Sequence, residues 1–235
     1  MKKIVVLTGA GISAESGIKT FRDHDGLWEN HDVMEVASIQ GWHKNKELVL
    51  QFYNDRRKQL KEVHPNIAHE LLATLEDKYR VVIVTQNVDD LHERGGSSNI
   101  IHLHGSLNKV RSVVHEELVY DWDKDLHLGD TCEKGTQLRP HIVWFGEMVP
   151  MLEFAMQEVL TADIVLVVGT SMQVYPAASL VGYAPANCPI YYIDPKPTIN
   201  YELGRRKNLT IVEEVASVGV KRVVEELLEG ENQKS

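Results

Sequence analysis

The sequence predicts an α/β fold, a parallel sheet with helices on both faces. Three observations predict it. Short, near-continuous apolar runs recur along the chain, segments of helical composition lie between them, and small or hydrogen-bonding residues follow run after run. In chain order, KKIVVLT (2–8) is the first strand, a β-branched apolar run ending at glycine. Residues 43–63 form a helix rich in helix formers, with apolar positions at Leu48, Phe52 and Leu60, and Asn66–Glu76 form another. YRVVIVTQN (79–87) is the next strand. NIIHLHG (99–105) follows, and its alternation puts Ile101 and Leu103 on one face and His102 and His104 on the other. Then come a helix at 151–162, the strand DIVLVVGTS (163–171), a helix at 176–184, the strand PIYYIDP (189–195), a weaker strand LTIVEE (209–214) and a last helix at 216–229.

Two stretches break the alternation. Residues 28–75 hold helices with no strand between them, and residues 107–138 are polar, charged and without a clear period. Both are assigned to a smaller inserted lobe. The large lobe then takes approximately residues 1–27, 76–106 and 139–235, and the small lobe 28–75 and 107–138. A cleft between two lobes is a usual place for a ligand.

The 235 residues are 43% hydrophobic and 25% charged, which fits a packed globule rather than a disordered chain. A net charge of −9 argues against nonspecific nucleic-acid binding, which needs clustered Lys and Arg. Two cysteines, Cys132 and Cys188, are too few for a disulfide framework, so a reducing, cytoplasmic setting is expected. The first ten residues lack a signal-peptide core, and no run approaches the ~20 apolar residues of a membrane helix.

In open α/β sheets, ligands sit outside the carboxyl ends of the strands. Here those ends carry Gly9-Ala10-Gly11-Ile12-Ser13, Gln86-Asn87-Val88-Asp89, His104-Gly105, Gly169-Thr170-Ser171 and Asp194. Each motif alone is commonplace, but their recurrence at successive strand ends is not. The first has the Gly-x-Gly-x-x-Ala form of a dinucleotide-binding turn, so the sheet is Rossmann-like, with glycines that let the backbone approach a pyrophosphate. The acid expected after a second strand is missing, which argues against a dehydrogenase. His104 is the leading general base, since a neutral imidazole accepts a proton near neutral pH. His102 is assigned a structural role.

GAGISAESGIKTFR, TQNVDDLHERGG, LHGSL, LRPHIVWFGEMVP and GTSMQVYPA occur in order over nearly the whole chain. By these motifs the chain resembles the sirtuins, NAD-dependent protein lysine deacylases. The resemblance implies that NAD is consumed as a co-substrate. It implies that Gly9, Ala10, Gly11 and Ser13 line the phosphate loop, that Phe21 shields the reacting carbon, and that Arg22 and Asp23 help hold NAD. Gln86, Asn87 and Asp89 match the nicotinamide and ribose pocket, and Gly169, Thr170 and Ser171 the adenosine-side loop. Asp194 stands where the family usually has Asn beside the adenine ribose, and Ala216 matches a late adenine contact. The implied chemistry is loss of nicotinamide from the ribose C1′, capture of that carbon by the acyl oxygen, and deprotonation of a ribose hydroxyl by His104. Asn87 and Asp89 stabilise the electron-poor ribose. The products are free lysine, nicotinamide and O-acyl-ADP-ribose.

HIVWFGEMVP (141–150) matches the segment that pairs with substrate peptide as an added strand, an acylated-lysine protein or peptide being the partner. Val143 and Phe145 are expected to line the acyl-lysine tunnel, with Gly146 and Glu147 beside them. Tyr53-x-x-Arg56 places a phenol and a guanidinium on one helix face, a pair that can grip a carboxylate. Sirtuins that remove succinyl, malonyl or glutaryl groups carry this pair together with a small residue where this chain has Ala37, so the resemblance points to that class III branch with deacetylation retained. The chain departs from the family at two places. Of the two Cys-x-x-Cys pairs of the structural zinc only Cys132 survives, the first pair aligning with Ser112 and His115, so zinc is not expected. The small lobe would then be held by packing, with Trp122 and Leu126 as candidates. Lys19 also replaces a Pro before Thr20. The alternative reading is a mono-ADP-ribosyltransferase or NAD glycohydrolase on the same scaffold.

Overall fold

The computed structural model describes residues 1–19 and 27–232. β1 (Lys3–Thr8) opens the chain. Two two-residue strands, β2 (Leu27–Trp28) and β3 (His31–Asp32), lead to α1 (Val33–Val36), α2 (Ile39–Lys44), α3 (Lys46–Glu62) and α4 (Ile67–Thr74). Then follow β4 (Arg80–Thr85), α5 (Leu91–Arg94), β5 (Ile100–His102), β6 (Gly105–Ser112), β7 (Val119–Asp121), β8 (Leu138–Ile142), α6 (Leu152–Leu160) and β9 (Ile164–Val168). A 3-10 helix at Ala177–Tyr183, β10 (Ile190–Ile193), α7 (Tyr201–Gly204), β11 (Leu209–Val212) and α8 (Ala216–Asn232) complete it.

Six strands form one parallel sheet in the order β11-β10-β9-β1-β4-β5. Side chains alternate across it. Ile4, Val6, Ile83 and Leu166 pack on one face against α4 and α8, and Val5, Leu7, Val84 and Val167 pack on the other against α6 and the 3-10 helix. Both faces are covered, which is why the strands read as continuous apolar runs; each such side chain contributes about 1.5–3 kcal/mol. In register, Thr8 stands beside Thr85 and Val168, so the loops after β1, β4 and β9 leave from one level and meet.

The predicted strands are present, each shorter than its apolar run. Asn45 divides the predicted helix 43–63: its backbone leaves the helical region, and its side chain accepts the Leu48 amide at 3.0 Å as the N-cap of α3. The segment predicted as a helix at 176–184 is 3-10 rather than α. Residues 28–75 do hold strand structure, the β2–β3 pair, which is too short to leave a period. Residues 107–138 hold most of β6, all of β7 and the start of β8, three strands of an antiparallel sheet ordered β7-β6-β8 joined by long turns, and a register shift between Gly105 and Val110 breaks the alternation on which the sequence reading depends. Ala68 and Leu72 of α4 pack under the large sheet, so that helix, assigned by sequence to the small lobe, stands against the large one.

A third core fills the small lobe, with Trp42, Phe52, Tyr53, Val110, Leu126, Leu138 and Trp144 buried and Trp122 packed against them. Where the family's first zinc pair would begin, the Ser112 hydroxyl is 2.6 Å from Thr136 Oγ1, which lies 3.0 Å from Cys132 Sγ. Hydrogen bonds therefore join the two turns. Among the described residues no group of three or more His, Cys, Asp or Glu is placed to hold a metal ion, and no helix is long and apolar enough to cross a membrane.

Candidate active site

The glycines after β1 and β9 are required by a close approach of two loops. A Cβ on Gly11 would stand 2.6 Å from Gly169 Cα, and one on Gly169, whose φ is +61°, would stand 2.2 Å from the Ile12 amide. The amides of Gly9 and Gly11 bond the carbonyls of Val168 and Gly169, and those of Ile12 and Ser13 bond Gly9 and Ala10. Four N–H groups that the sequence offers to a pyrophosphate are thus already used, and these glycines serve loop packing. The segment predicted as a phosphate turn continues into short 3-10 turns, and Glu15 there accepts the Ser217 amide at 2.9 Å at the start of α8.

Ser13, Asn87 and Asp89 meet at the ends of β1 and β4. Asn87 Nδ2 donates to Ser13 Oγ at 3.1 Å, and Ser13 Oγ donates to Asp89 Oδ2 at 3.0 Å. The other Asp89 oxygen accepts the Leu91 amide at 3.1 Å. All three residues are buried, and burial pushes the Asp89 carboxyl up to about 6. The hydrogen bonds from Ser13 and Leu91 act the other way and favour its ionised form.

β5 ends at His102, and the chain crosses to β6 through Leu103 and His104, so His104 stands at the junction of the two sheets. Gly105 makes the crossing possible: its φ is +83°, and a Cβ there would meet the His141 carbonyl at 1.9 Å. The Val143 amide holds the His104 carbonyl at 2.9 Å. The ring places Nδ1 2.9 Å from the Gln86 carbonyl, and burial lowers its pKa below the ordinary value. A neutral ring donating from Nδ1 keeps Nε2 as a bare acceptor, the form a general base needs. His102 is arranged otherwise. Burial opposes its charge, but Glu93, 2.6 Å from Nε2, outweighs that and raises its pKa. Its ring is thus held by a carboxylate, where that of His104 is held by a backbone carbonyl.

Along the same edge Gln86 Nε2 donates to Thr170 Oγ1 at 3.1 Å, and the Thr170 carbonyl accepts the Tyr192 hydroxyl at 2.9 Å. Ser171 is partly exposed beside them. Asp194, 2% exposed, follows β10 and accepts the Lys196 amide at 2.8 Å. Ala216 is buried in the core at the start of α8. Phe21, Arg22 and Asp23 lie outside the described residues.

The segment after β8 is pinned from two sides. The Phe145 amide donates to the Ala37 carbonyl at 2.9 Å, and Arg139 donates twice to Glu147, at 2.6 and 3.0 Å. Arg111 adds a third bond at 3.2 Å, and Glu147 also accepts the Trp144 amide at 2.8 Å. Glu147 therefore faces two buried arginines, while Phe145, Gly146 and Met148 are exposed. The Arg139 guanidinium stacks on Trp144, 3.4 Å from the ring centroid. The Trp144 indole donates to the Tyr53 hydroxyl at 2.9 Å. Tyr53 is fully buried, and burial raises its pKa. Arg56 lies over Phe52 and lines a cavity of about 40 Å³ with Trp28, Val88, Asp89 and Leu107. Its Nε is buried without a partner among the described residues. Of the predicted pair, Arg56 reaches the cavity, whereas the Tyr53 hydroxyl is turned to Trp144. Val143 is partly buried beside them.

Several residues at or behind the site are absent from the sequence reading. Arg111 and Arg139 anchor Glu147; Arg57, beside Arg56, is 2% exposed and donates to the Leu107 carbonyl at 2.9 Å. His69 and His92 are buried behind Ser13 and Thr8. Asn66-x-x-His69 is legible as a helix start, with His in the place where Glu or Gln closes a capping box. Nothing in the sequence sets the two arginines apart from surface charge.

The sequence model of the Sir2 family, the sirtuins, matches residues 9–176. The chain is 63% identical over 196 residues to an NAD-dependent protein deacylase of Helicobacter pylori, covering 83% of this chain and 86% of that one. It is 48% identical over 234 residues to one of Bacteroides thetaiotaomicron, covering 97% and 99%. Among solved structures, a Sir2 homolog–NAD complex is 40% identical with a TM-score of 0.87, covering 97% of this chain and 90% of that one. A Sir2 complex with a p53 peptide and NAD+ is 31% identical with a TM-score of 0.78, covering 95% and 92%. On matched motifs, fold and identity alike, the chain belongs to the Sir2 family.

Proposed function

We infer that this chain removes acyl groups from protein lysines in a reaction that consumes NAD. The observation that carries the reading is the neutral His104 ring, tied through Nδ1 to the Gln86 carbonyl, at the same edge as the buried Ser13–Asn87–Asp89 cluster. The donor set fits NAD: small residues where loops cross, and buried side-chain amides, hydroxyls and a carboxylate at successive strand ends. NAD supplies a ribose carbon that becomes electrophilic as nicotinamide departs. His104 Nε2 takes the proton of a ribose hydroxyl, and Asn87 and the ionised Asp89 orient the ribose and favour developing positive charge. Gln86 lines the nicotinamide and ribose pocket with Asn87 and Asp89, and Gly169, Thr170 and Ser171 border the dinucleotide toward the adenosine end, where Asp194 and Ala216 lie. Gly9, Ala10, Gly11 and Ser13 form the loop beneath it. The names of the relatives favour deacylation over an ADP-ribosyltransferase or glycohydrolase reading.

The acyl-lysine partner enters beside Val143, Phe145, Gly146 and Glu147 and pairs as an added strand, where Phe145, Gly146 and Met148 are exposed. Ala37, Tyr53 and Arg56 favour an acidic acyl group. Arg56 brings to a cavity beside Asp89 an Nε that has no partner among the described residues, while the Tyr53 hydroxyl is turned to Trp144. The test uses acetyl-, succinyl- and malonyl-lysine peptides with NAD, read by mass spectrometry. Arg56→Met is expected to lower kcat/KM for the acidic groups by roughly 10–100-fold, the worth of a hydrogen bond to a charged group, and to leave deacetylation unchanged. An equal fall for both classes would contradict the acid-pocket assignment.

A further inference from the structure

The hairpin before α1 carries a side chain that turn chemistry does not explain. β2 and β3 pair Trp28 with His31, so Glu29 and Asn30 alone make the turn. Both have positive φ, 50° and 68°, as the tight two-residue hairpin turn requires. Asn, Asp and Gly suit such positions; Asn30 conforms and Glu29 does not. A long side chain kept in an unfavourable backbone conformation points to another use. The hairpin is fixed to α3 by ring contacts. Trp28 meets Phe52 edge to face with centroids 4.9 Å apart, and His31 meets the same ring at 5.5 Å. Arg56 also lies over Phe52, so the hairpin and the guanidinium rest on one support.

Glu29 lines the Arg56 cavity, together with Ile18, Gln59 and Asp89. Its side chain is 10% exposed, and one carboxylate oxygen is 3.2 Å from the ammonium of the half-exposed Lys19, which does not itself line the cavity. Among the described residues no ion pair joins Glu29 to Arg56. Resting on the acid-pocket reading, we propose that Glu29 is a specificity-determining residue, and that its ion pair with Lys19 sets how readily the Arg56 cavity accepts an acidic acyl group.

The argument is charge accounting around one small space. An acidic acyl group that reaches the Arg56 guanidinium brings its carboxylate toward that of Glu29. Like charges so placed repel, and a largely buried carboxylate is screened less by salt than an exposed one. Lys19 offsets the repulsion from the far side of Glu29, leaving Arg56 as the unbalanced charge that the acyl group meets. The acid has a use of its own. A guanidinium facing no anion would hold any small carboxylate or phosphate, whereas a carboxylate across the cavity weakens that hold and leaves room for neutral acyl groups. The two charges on the turn and before it therefore act in opposite directions: Glu29 disfavours acidic acyl groups, and Lys19, acting through Glu29, restores them.

The test compares kcat/KM for succinyl- and acetyl-lysine forms of one peptide with NAD, read as their ratio, so that a change in NAD binding or folding cancels. Lys19→Gln is expected to lower the succinyl-to-acetyl ratio by about 2–5-fold, the worth of a partly exposed charge pair, and Lys19→Arg to keep it. Glu29→Gln is expected to raise the ratio. The double variant should match Glu29→Gln alone, because Lys19 has nothing left to act through. Salt at about 1 M should shrink each difference. A wild-type ratio in Lys19→Gln, a Glu29→Gln ratio no higher than wild type, or a Lys19 effect that persists in the double variant overturns the proposal. If Glu29→Gln does not fold, the ratios of Lys19→Gln and Lys19→Arg decide. Arg56→Met, assayed in parallel, keeps two failures apart. An equal fall of both activities in Arg56→Met, or no removal of succinyl groups by wild type, defeats the acid-pocket reading and the proposal with it. A selective fall in Arg56→Met beside an unmoved ratio in Lys19→Gln defeats the proposal alone.

Discussion

His104→Ala is expected to lower kcat/KM for every acyl-lysine peptide by about 10²–10⁴-fold, the usual worth of a positioned general base. The ring is only half-buried and among the described residues makes one hydrogen bond, through Nδ1 to the Gln86 carbonyl, so its loss leaves strands and loops in place. The variant should therefore keep its thermal midpoint and still bind NAD by calorimetry. A variant that lost NAD binding to the same degree would point to a structural role for the ring. The same chemistry fixes the acid side of the pH profile. The base must be neutral, and burial holds its pKa below the ordinary 6.5; Asp89 must be ionised, and burial raises it to about 6. Both requirements are met at neutral pH and both fail on acidification, so kcat/KM should be level near neutrality and fall only below pH 6.5. A fall beginning well above neutrality would contradict this assignment.

Glu147→Gln is expected to destabilise the fold by about 3–5 kcal/mol, because it leaves two buried guanidinium groups without their counter-charge. Arg111 and Arg139 are 7% and 5% exposed, and both converge on this carboxylate. Urea denaturation measures the loss. Burial alone would raise the Glu147 pKa, but the hydrogen bonds from Arg139 and the Trp144 amide, with the charge of both arginines, outweigh it and hold the pKa below 4.5. A carboxyl depressed on folding adds stability that is complete above its unfolded value and fades as pH falls through the folded one. The wild-type advantage over Glu147→Gln should therefore persist at neutral pH and shrink only below about pH 4.5, near the unfolded value. A difference within about 0.5 kcal/mol at neutral pH, typical of surface changes, would show that solvent already screens this cluster.

The large sheet was legible because its strands are buried on both faces, and a run such as Ile4–Leu7 has no other ready explanation. The edge with the candidate site was legible for a related reason: Ser13, Asn87, Asp89 and Thr170 are polar residues that follow closely on apolar runs, and the structure brings the ends of those strands to one level. The small lobe was not, because β6 carries a register shift and β7 has three residues with little buried surface. Glu147 illustrates a deeper limit. Its carboxylate is held by Arg111 and Arg139, from strands brought together only by folding, and nothing in its own motif announces those partners. Arg56 and Arg57 are adjacent in sequence, yet one lines a cavity and the other bonds backbone carbonyls inside the lobe; helix phase relative to β6 decides, and sequence alone does not give it.

The most direct test of the account is the product balance of the wild-type enzyme with an acyl-lysine peptide and NAD, resolved by mass spectrometry. The account predicts that each nicotinamide released is matched by one deacylated lysine and one O-acyl-ADP-ribose. Nicotinamide matched instead by free ADP-ribose, or by ADP-ribose attached to a peptide whose lysine keeps its acyl group, would contradict it.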